Sequence, residues 1–342
     1  MTRPERLQYL SLHQVGNKSQ GELLFLSPGS INIDDEELEE GLLSYFLDHF
    51  NGYEYYHLDH SIQAANDVYL AASKIFEDPS TLHFQSTLLA RRLFDLASHP
   101  QIKSGDFYVA YLEDVLFDDE VVNCVGLFKA ESKDHFLQLK RRLDQIELTL
   151  HAGTYIGKLD KGCLIYQTDK EKGYKVAIVD TTGKSQAQYW KDAFLGVKPC
   201  EDDYYHTQRV MGLTKSFLDQ LPMEFDTEKP DQIDMMNRSL DYFKSHQQFD
   251  EQEFAEEVFQ DLDVANAFGE FSSNFRQSQP SPTTYDFELD EQAIKKQAGQ
   301  FKSVLKLDRN FHIYIHGDRS MIQRGTDENG RKFYKLYYSQ ET

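Results

Sequence analysis

Cysteine is scarce: the chain has three, Cys124, Cys163 and Cys200, and no Cys-x-x-Cys pair. That excludes a disulfide-stapled scaffold and a cysteine-built zinc site, and the three read as small buried residues in a reducing compartment. Long apolar runs are missing too. No stretch approaches the roughly 18 apolar residues of a membrane span, and the polar start Met1-Thr2-Arg3-Pro4-Glu5-Arg6 leads into no run of signal-peptide length, so a cytosolic protein is expected. Internal repeats are absent. So are the common catalytic signatures: there is no Gly-x-Ser-x-Gly elbow and no cysteine set in a nucleophile's sequence context.

Three partial motifs fall short on spacing. Asp180-Thr-Thr-Gly-Lys-Ser185 ends like a phosphate-binding loop, but the glycine that should stand five residues before Gly183 is Ile178, so bare backbone cannot wrap a phosphate. An ordinary turn capped by Ser185 is expected instead. His57-Leu-Asp59-His60 offers three ligand types, yet strand alternation sends His57 and Asp59 one way and His60 the other, and no distant partner completes a metal set. Restriction-like nucleases place an acid two residues before a lysine on a strand, and Lys129 has Leu127 there. Neither a metal nor a cofactor is therefore expected.

Positive charge is also in short supply. The 342 residues hold 36 Lys or Arg against 57 Asp or Glu, a net charge of −21. Residues 301–342 hold eight basic and five acidic side chains, so they carry +3 and leave −24 to the rest. A body this acidic repels nucleic acid at long range; any DNA contact has to be local, assisted by oligomerisation, or helped by a partner.

What is present is a globular composition, 40% apolar with 24 Phe and 20 Tyr, long enough for two domains. The pattern predicts strands over Leu7–Val15 and Leu23–Leu26, then a helix capped by Asp34 or Asp35 with Leu38, Leu42, Leu43, Phe46 and Phe50 on one stripe. Tyr53–Asp59 reads as extended, and Ile62–Phe76 and Ser80–Ser98 as helices. Hairpins follow from Gly105 to Phe128, central in a sheet, and from Leu159 to Val179 around Asp169–Gly173. Helices are expected over Ser185–Leu195, Glu201–Leu221, Asp231–His246, Glu251–Phe268 and Glu291–Gln300, with Arg276–Thr284 as a linker. The fold class is α+β, with mixed antiparallel sheets, a helical middle region and a small basic C-terminal sheet. A boundary is placed at 155/156, giving residues 1–155 and 156–342, although the linker offers a second position.

Chemistry concentrates in Gln300–Tyr338. Ser303–Leu307 and Phe311–His316 alternate, setting Leu305, Leu307, Phe311, Ile313 and Ile315 against Lys302, Val304, Lys306, His312, Tyr314 and His316. After an Asn329-Gly330 turn, Arg331, Phe333, Lys335 and Tyr337 share one side of a last strand. The expected DNA-binding set is Lys302, Lys306, Tyr314, Arg331, Phe333, Lys335 and Tyr337 on one basic, aromatic face. Lysine and arginine would displace counterions from phosphates while flat rings pack on sugars or unpaired bases. The bland alternative is an amphipathic sheet with a wet charged side.

Lys158–Tyr166, Tyr174–Asp180, Gln188–Leu195 and Phe301–His316 together resemble the bacterial nucleoid-associated protein family, the NdpA-like proteins. The likeness spans nearly the whole chain and includes no catalytic signature. It implies a cytoplasmic protein found with the nucleoid and able to associate with DNA; it implies no reaction. The reading is thus a non-catalytic protein that contacts DNA, weakly and salt-sensitively, with little sequence preference, and that could act as a homodimer. Two rivals stand beside it. The acidic helices from Asp231 to Asp263 could bind a basic protein that brings the chain to the nucleoid, or the acids near Asp106 and Asp119 could build a metal-dependent nuclease.

Overall fold

A computed structural model describes residues 6–59, 66–182, 189–225, 227–278, 287–301, 304–315 and 319–340. The chain divides into two compact units, residues 1–200 and 201–342. Lys302, His60, His316 and the Gly183–Ser185 end of the loop-like motif lie outside the described residues.

The first unit is built on an eight-stranded antiparallel sheet. Its strands are β1 (Arg6–Val15), β2 (Leu24–Leu26), β3 (Tyr55–Leu58), β4 (Gly105–Phe117), β5 (Glu120–Ala130), β8 (Lys161–Tyr166), β9 (Lys175–Asp180) and β10 (Val197–Pro199), in the order β10-β3-β9-β8-β5-β4-β1-β2. The long β4–β5 hairpin sits in the middle, as the sequence predicts. β8 pairs with β5, Leu127 opposite Cys163, so hydrogen bonding runs through the boundary placed at 155/156 and the units separate only after Cys200. Between β5 and β8 the chain makes a separate ribbon, β6 (Asp134–Arg142) and β7 (Gln145–Gly153).

Both faces of the sheet are covered, which is why its central strands read as nearly unbroken apolar runs. Phe107, Val109, Tyr111, Val125, Leu127, Cys163 and Ile165 point to one side, where α2 (Asp67–Glu77), α3 (Leu82–Leu96) and a π-helical turn (Tyr189–Leu195) bury Ile75, Leu89, Leu93 and Trp190 against them. Ala110, Leu112, Cys124, Phe128, Leu164 and Tyr166 point to the other, where α1 (Glu36–Leu47) sets Phe46 in a stack on Phe128 with centroids 4.1 Å apart. Asp35 caps α1, accepting from the Glu37 and Leu38 amides at 2.9 and 3.2 Å, with Glu36, Glu37 and Glu39 in the first turn where the helix dipole favours acid. All three cysteines are buried.

The second unit is a helical block with a phenylalanine core and two short ribbons. Its helices are α4 (Asp203–Glu224), α5 (Lys229–Ser245), α6 (Glu251–Phe259), α7 (Leu262–Gln277) and α8 (Glu291–Gln297). Phe217, Phe243, Phe249, Phe254, Phe259, Phe268 and Phe287 interlock at its centre. The single helix expected over Glu251–Phe268 is two helices. Gln260 takes a left-handed backbone, φ 57°, and Asp261 starts α7 by accepting from the Asp263 and Val264 amides. The expected C-terminal sheet is likewise two ribbons, β11 (Val304–Leu307) with β12 (Phe311–Tyr314), and β13 (Ile322–Thr326) with β14 (Lys332–Leu336).

Candidate nucleic-acid interface

The β11–β12 ribbon obeys the alternation read from the sequence. Leu305 lies opposite Ile313 and Lys306 opposite His312, so an apolar side with Leu305, Leu307, Ile313 and Ile315 backs a polar side with Lys306, His312 and Tyr314. The apolar side packs with Ile233 of α5 and with Ile322 and Tyr334 of the second ribbon. Asn237 of α5 donates to the Ile315 carbonyl at 3.1 Å. On the polar side a groove of about 590 Å³ opens against α5, lined by Asp241, Lys244, Lys306, His312 and Tyr314. Lys244 joins this basic group from a helix read in sequence only as acidic; its place becomes visible once Asp241 and Lys244 are seen one turn apart on the groove side.

In the β13–β14 ribbon, Gly325 lies opposite Phe333 and Gln323 opposite Lys335. The Phe333 ring covers Gly325 so closely that a Cβ there would collide with it. Tyr337 donates to Gln323 Oε1 at 2.9 Å, and Lys335 Nζ sits 5.0 Å from the Tyr337 ring centroid. Phe333, Lys335 and Tyr337 therefore share one exposed side. The turn is closed by Asp327, which accepts from the Asn329 and Arg331 amides, while Gly330 supplies the left-handed residue at φ 78°. Arg331 bends back to the same Asp327, Nε to Oδ2 2.8 Å. These hydrogen bonds, the Arg331 amide first, hold the Asp327 carboxyl below its ordinary range.

Of the seven expected residues, then, Lys306 and Tyr314 meet on one ribbon, and Phe333, Lys335 and Tyr337 on the other; Arg331 is engaged by its turn. Both ribbons turn their apolar sides to one cluster, so their polar sides point outward from it. Two other arginines of this region, Arg319 and Arg324, anchor the fold. Arg319 binds Asp231 and Glu228 of the α5 N-terminus, the latter at 3.0 Å, and Arg324 approaches Glu228 at 3.7 Å. Among the described residues neither Lys306 nor Lys335 has an ion-pair partner.

The other constellations are structural or dispersed. His57 is buried, 3.3 Å from Asp169 and 3.4 Å from the Cys200 sulfur; burial lowers its pKa against the opposing pull of Asp169. Lys129 is wholly buried, its Nζ on Glu131 at 2.8 Å and on the Lys103 carbonyl at 2.6 Å, and burial lowers its pKa too. Asp106 lies at the start of β4 and Asp119 in the turn past its far end, about 40 Å away for a 13-residue strand, so they do not converge. Asp106 instead binds Lys133.

Residues 11–330 match the family model described as nucleoid-associated protein YejK. The chain belongs to that family. Membership agrees with the resemblance read from the sequence and places the chain with the nucleoid, in the cytoplasm. Among curated proteins none matches the chain. No helix among the described residues is long and apolar enough to cross a membrane.

Proposed function

We propose that the protein associates with DNA without catalysis and largely without sequence preference, through the outward sides of the two C-terminal ribbons. The observation that carries this is the pairing of uncommitted lysines with exposed rings, Lys306 beside Tyr314 and Lys335 beside Phe333 and Tyr337, in a member of a nucleoid-associated family. Lys302, Lys306, Lys335 and, once it leaves Asp327, Arg331 neutralise phosphates; the rings lie on the backbone or on unpaired bases. Short ribbons carry no recognition helix for the major groove, so base readout is minor. A homodimer would double the phosphate contacts and help offset the acidic remainder of the chain.

A basic protein partner is the second reading. It is favoured by an acidic groove of about 1,060 Å³ between α6 and α7, lined by Asp250, Glu251, Glu256 and Glu270 with Arg276. Replacing Lys302, Lys306 and Lys335 by Glu separates the two. Loss of both gel-shift activity and nucleoid location in the triple variant supports direct contact, whereas retained location with lost DNA binding supports a partner. Supercoiled plasmid should stay intact with magnesium or manganese; nicking would overturn the non-catalytic reading.

A further inference from the structure

The β6–β7 ribbon is a projecting arm with one bare apolar side. Leu137 lies opposite Leu150, Leu139 opposite Leu148 and Arg141 opposite Ile146, so Leu137, Leu139, Ile146, Leu148 and Leu150 line one side, and Leu143 extends it at the tip. All five are 58–72% exposed. The other side is polar apart from Phe136, which stacks on His151, and it carries the Arg142–Glu147 ion pair at 3.1 Å. Soluble proteins rarely leave so continuous an aliphatic strip uncovered.

The root of the arm is firmly held. Asp160 accepts from the backbone amides of Glu131 and Ser132 at 2.7 and 2.8 Å and from the Ser132 hydroxyl at 3.0 Å. Lys133 pairs with Asp106 and donates to Thr154 across the base at 3.0 Å.

We infer that this side is a dimer interface, occupied by the same side of a second copy's arm. Three observations select that occupant. A two-fold axis sets a patch against itself, and an aliphatic strip is complementary to its own copy. Residues 134–153 hold Lys140, Arg141 and Arg142 against Asp134, Asp144 and Glu147, net zero in a chain of −21. Two arms therefore meet without the repulsion that two acidic bodies exert; Arg141, opposite Ile146, is the one Lys, Arg, Asp or Glu on the paired part of the aliphatic side, which has no bare Phe, Tyr or Trp on which a base could stack. Finally, six aliphatic side chains burying roughly 100 Å² each give about 600 Å² per copy and about 1,200 Å² in total, at the lower end of stable interfaces. The inference stands apart from the DNA reading.

Light scattering on the full chain tests it. The wild type is expected at twice 39.8 kDa in the micromolar range, and Leu139→Glu with Leu148→Glu at 39.8 kDa. Both leucines are exposed in the single chain, so the double variant should keep the wild-type circular dichroism, while its melt loses whatever concentration dependence the dimer gives the wild type. A monomeric wild type, or a double variant that stays dimeric, overturns the proposal. Because the three native cysteines are buried, Leu139→Cys introduces a single accessible thiol. Mild oxidation with diamide should link two copies on a non-reducing gel; a dimer that never cross-links there has its contact elsewhere.

Discussion

In the eight-stranded sheet β4, β5 and β8 bury side chains on both faces, whereas each of the two-stranded ribbons leaves at least one face to solvent. The same alternation produces both outcomes. Lys129 and Lys306 make the point: each stands on a strand among apolar residues, yet Lys129 is sealed with Glu131 beneath the sheet's covering layers and Lys306 opens onto a groove. Depth turns one lysine into a structural element and leaves the other available for a ligand.

Lys129→Met sharpens that contrast most. It leaves the Glu131 carboxylate, itself almost wholly buried, without its cation, and should cost about 3–5 kcal/mol in a denaturant melt of the wild type against the variant. Lys306→Met should fall within about 0.5 kcal/mol of wild type in the same assay. Phe128→Ala removes the stack on Phe46 from a fully buried site and should cost about 3–5 kcal/mol.

Acid should act on the first unit through His13. Burial, with a smaller contribution from His83, lowers its pKa from 6.5 to about 4, and its ring is tied to Ser86 and to the Ser27 amide. The folded state thus binds its proton later than the unfolded chain does. The stability from the neutral ring is fully present above pH 6.5 and is lost as pH falls toward 4. A His13→Gln variant should differ from wild type by a constant amount above that window and by a shrinking amount within it; parallel curves throughout would refute the assignment. The smallest stability effect belongs to Phe333→Ala, under about 1 kcal/mol for a half-exposed ring over a glycine. The same change should weaken single-strand binding by about 1–3 kcal/mol if bases stack there.

Much of the fold is legible locally. Asp35 and the acids after it mark the start of α1, and the apolar runs around Val109, Val125 and Ile165 mark strands covered on both sides. The pairing of strands across distance is not written in alternation, so the C-terminal strands read as one sheet where the molecule forms two ribbons. Gln260 ends α6 in a conformation usually signalled by glycine, which hides the break before α7. Of the candidate interface, the alternating sides were legible and the groove with Lys244 was not, because it depends on α5 packing beside β11 and β12. The arm has a period-two signal in Leu137, Leu139, Ile146, Leu148 and Leu150, but such a pattern ordinarily announces a covered face. Its being bare is a property of the assembled chain.

The most direct test of the DNA account is a salt titration of binding to a duplex and to a single strand, followed by fluorescence anisotropy. Four neutralised phosphates predict a slope of log affinity against log salt near about −3.6 on duplex, flattening when Lys302, Lys306 and Lys335 are changed to Glu. No binding at low salt, or a slope unchanged in the triple variant, would contradict it.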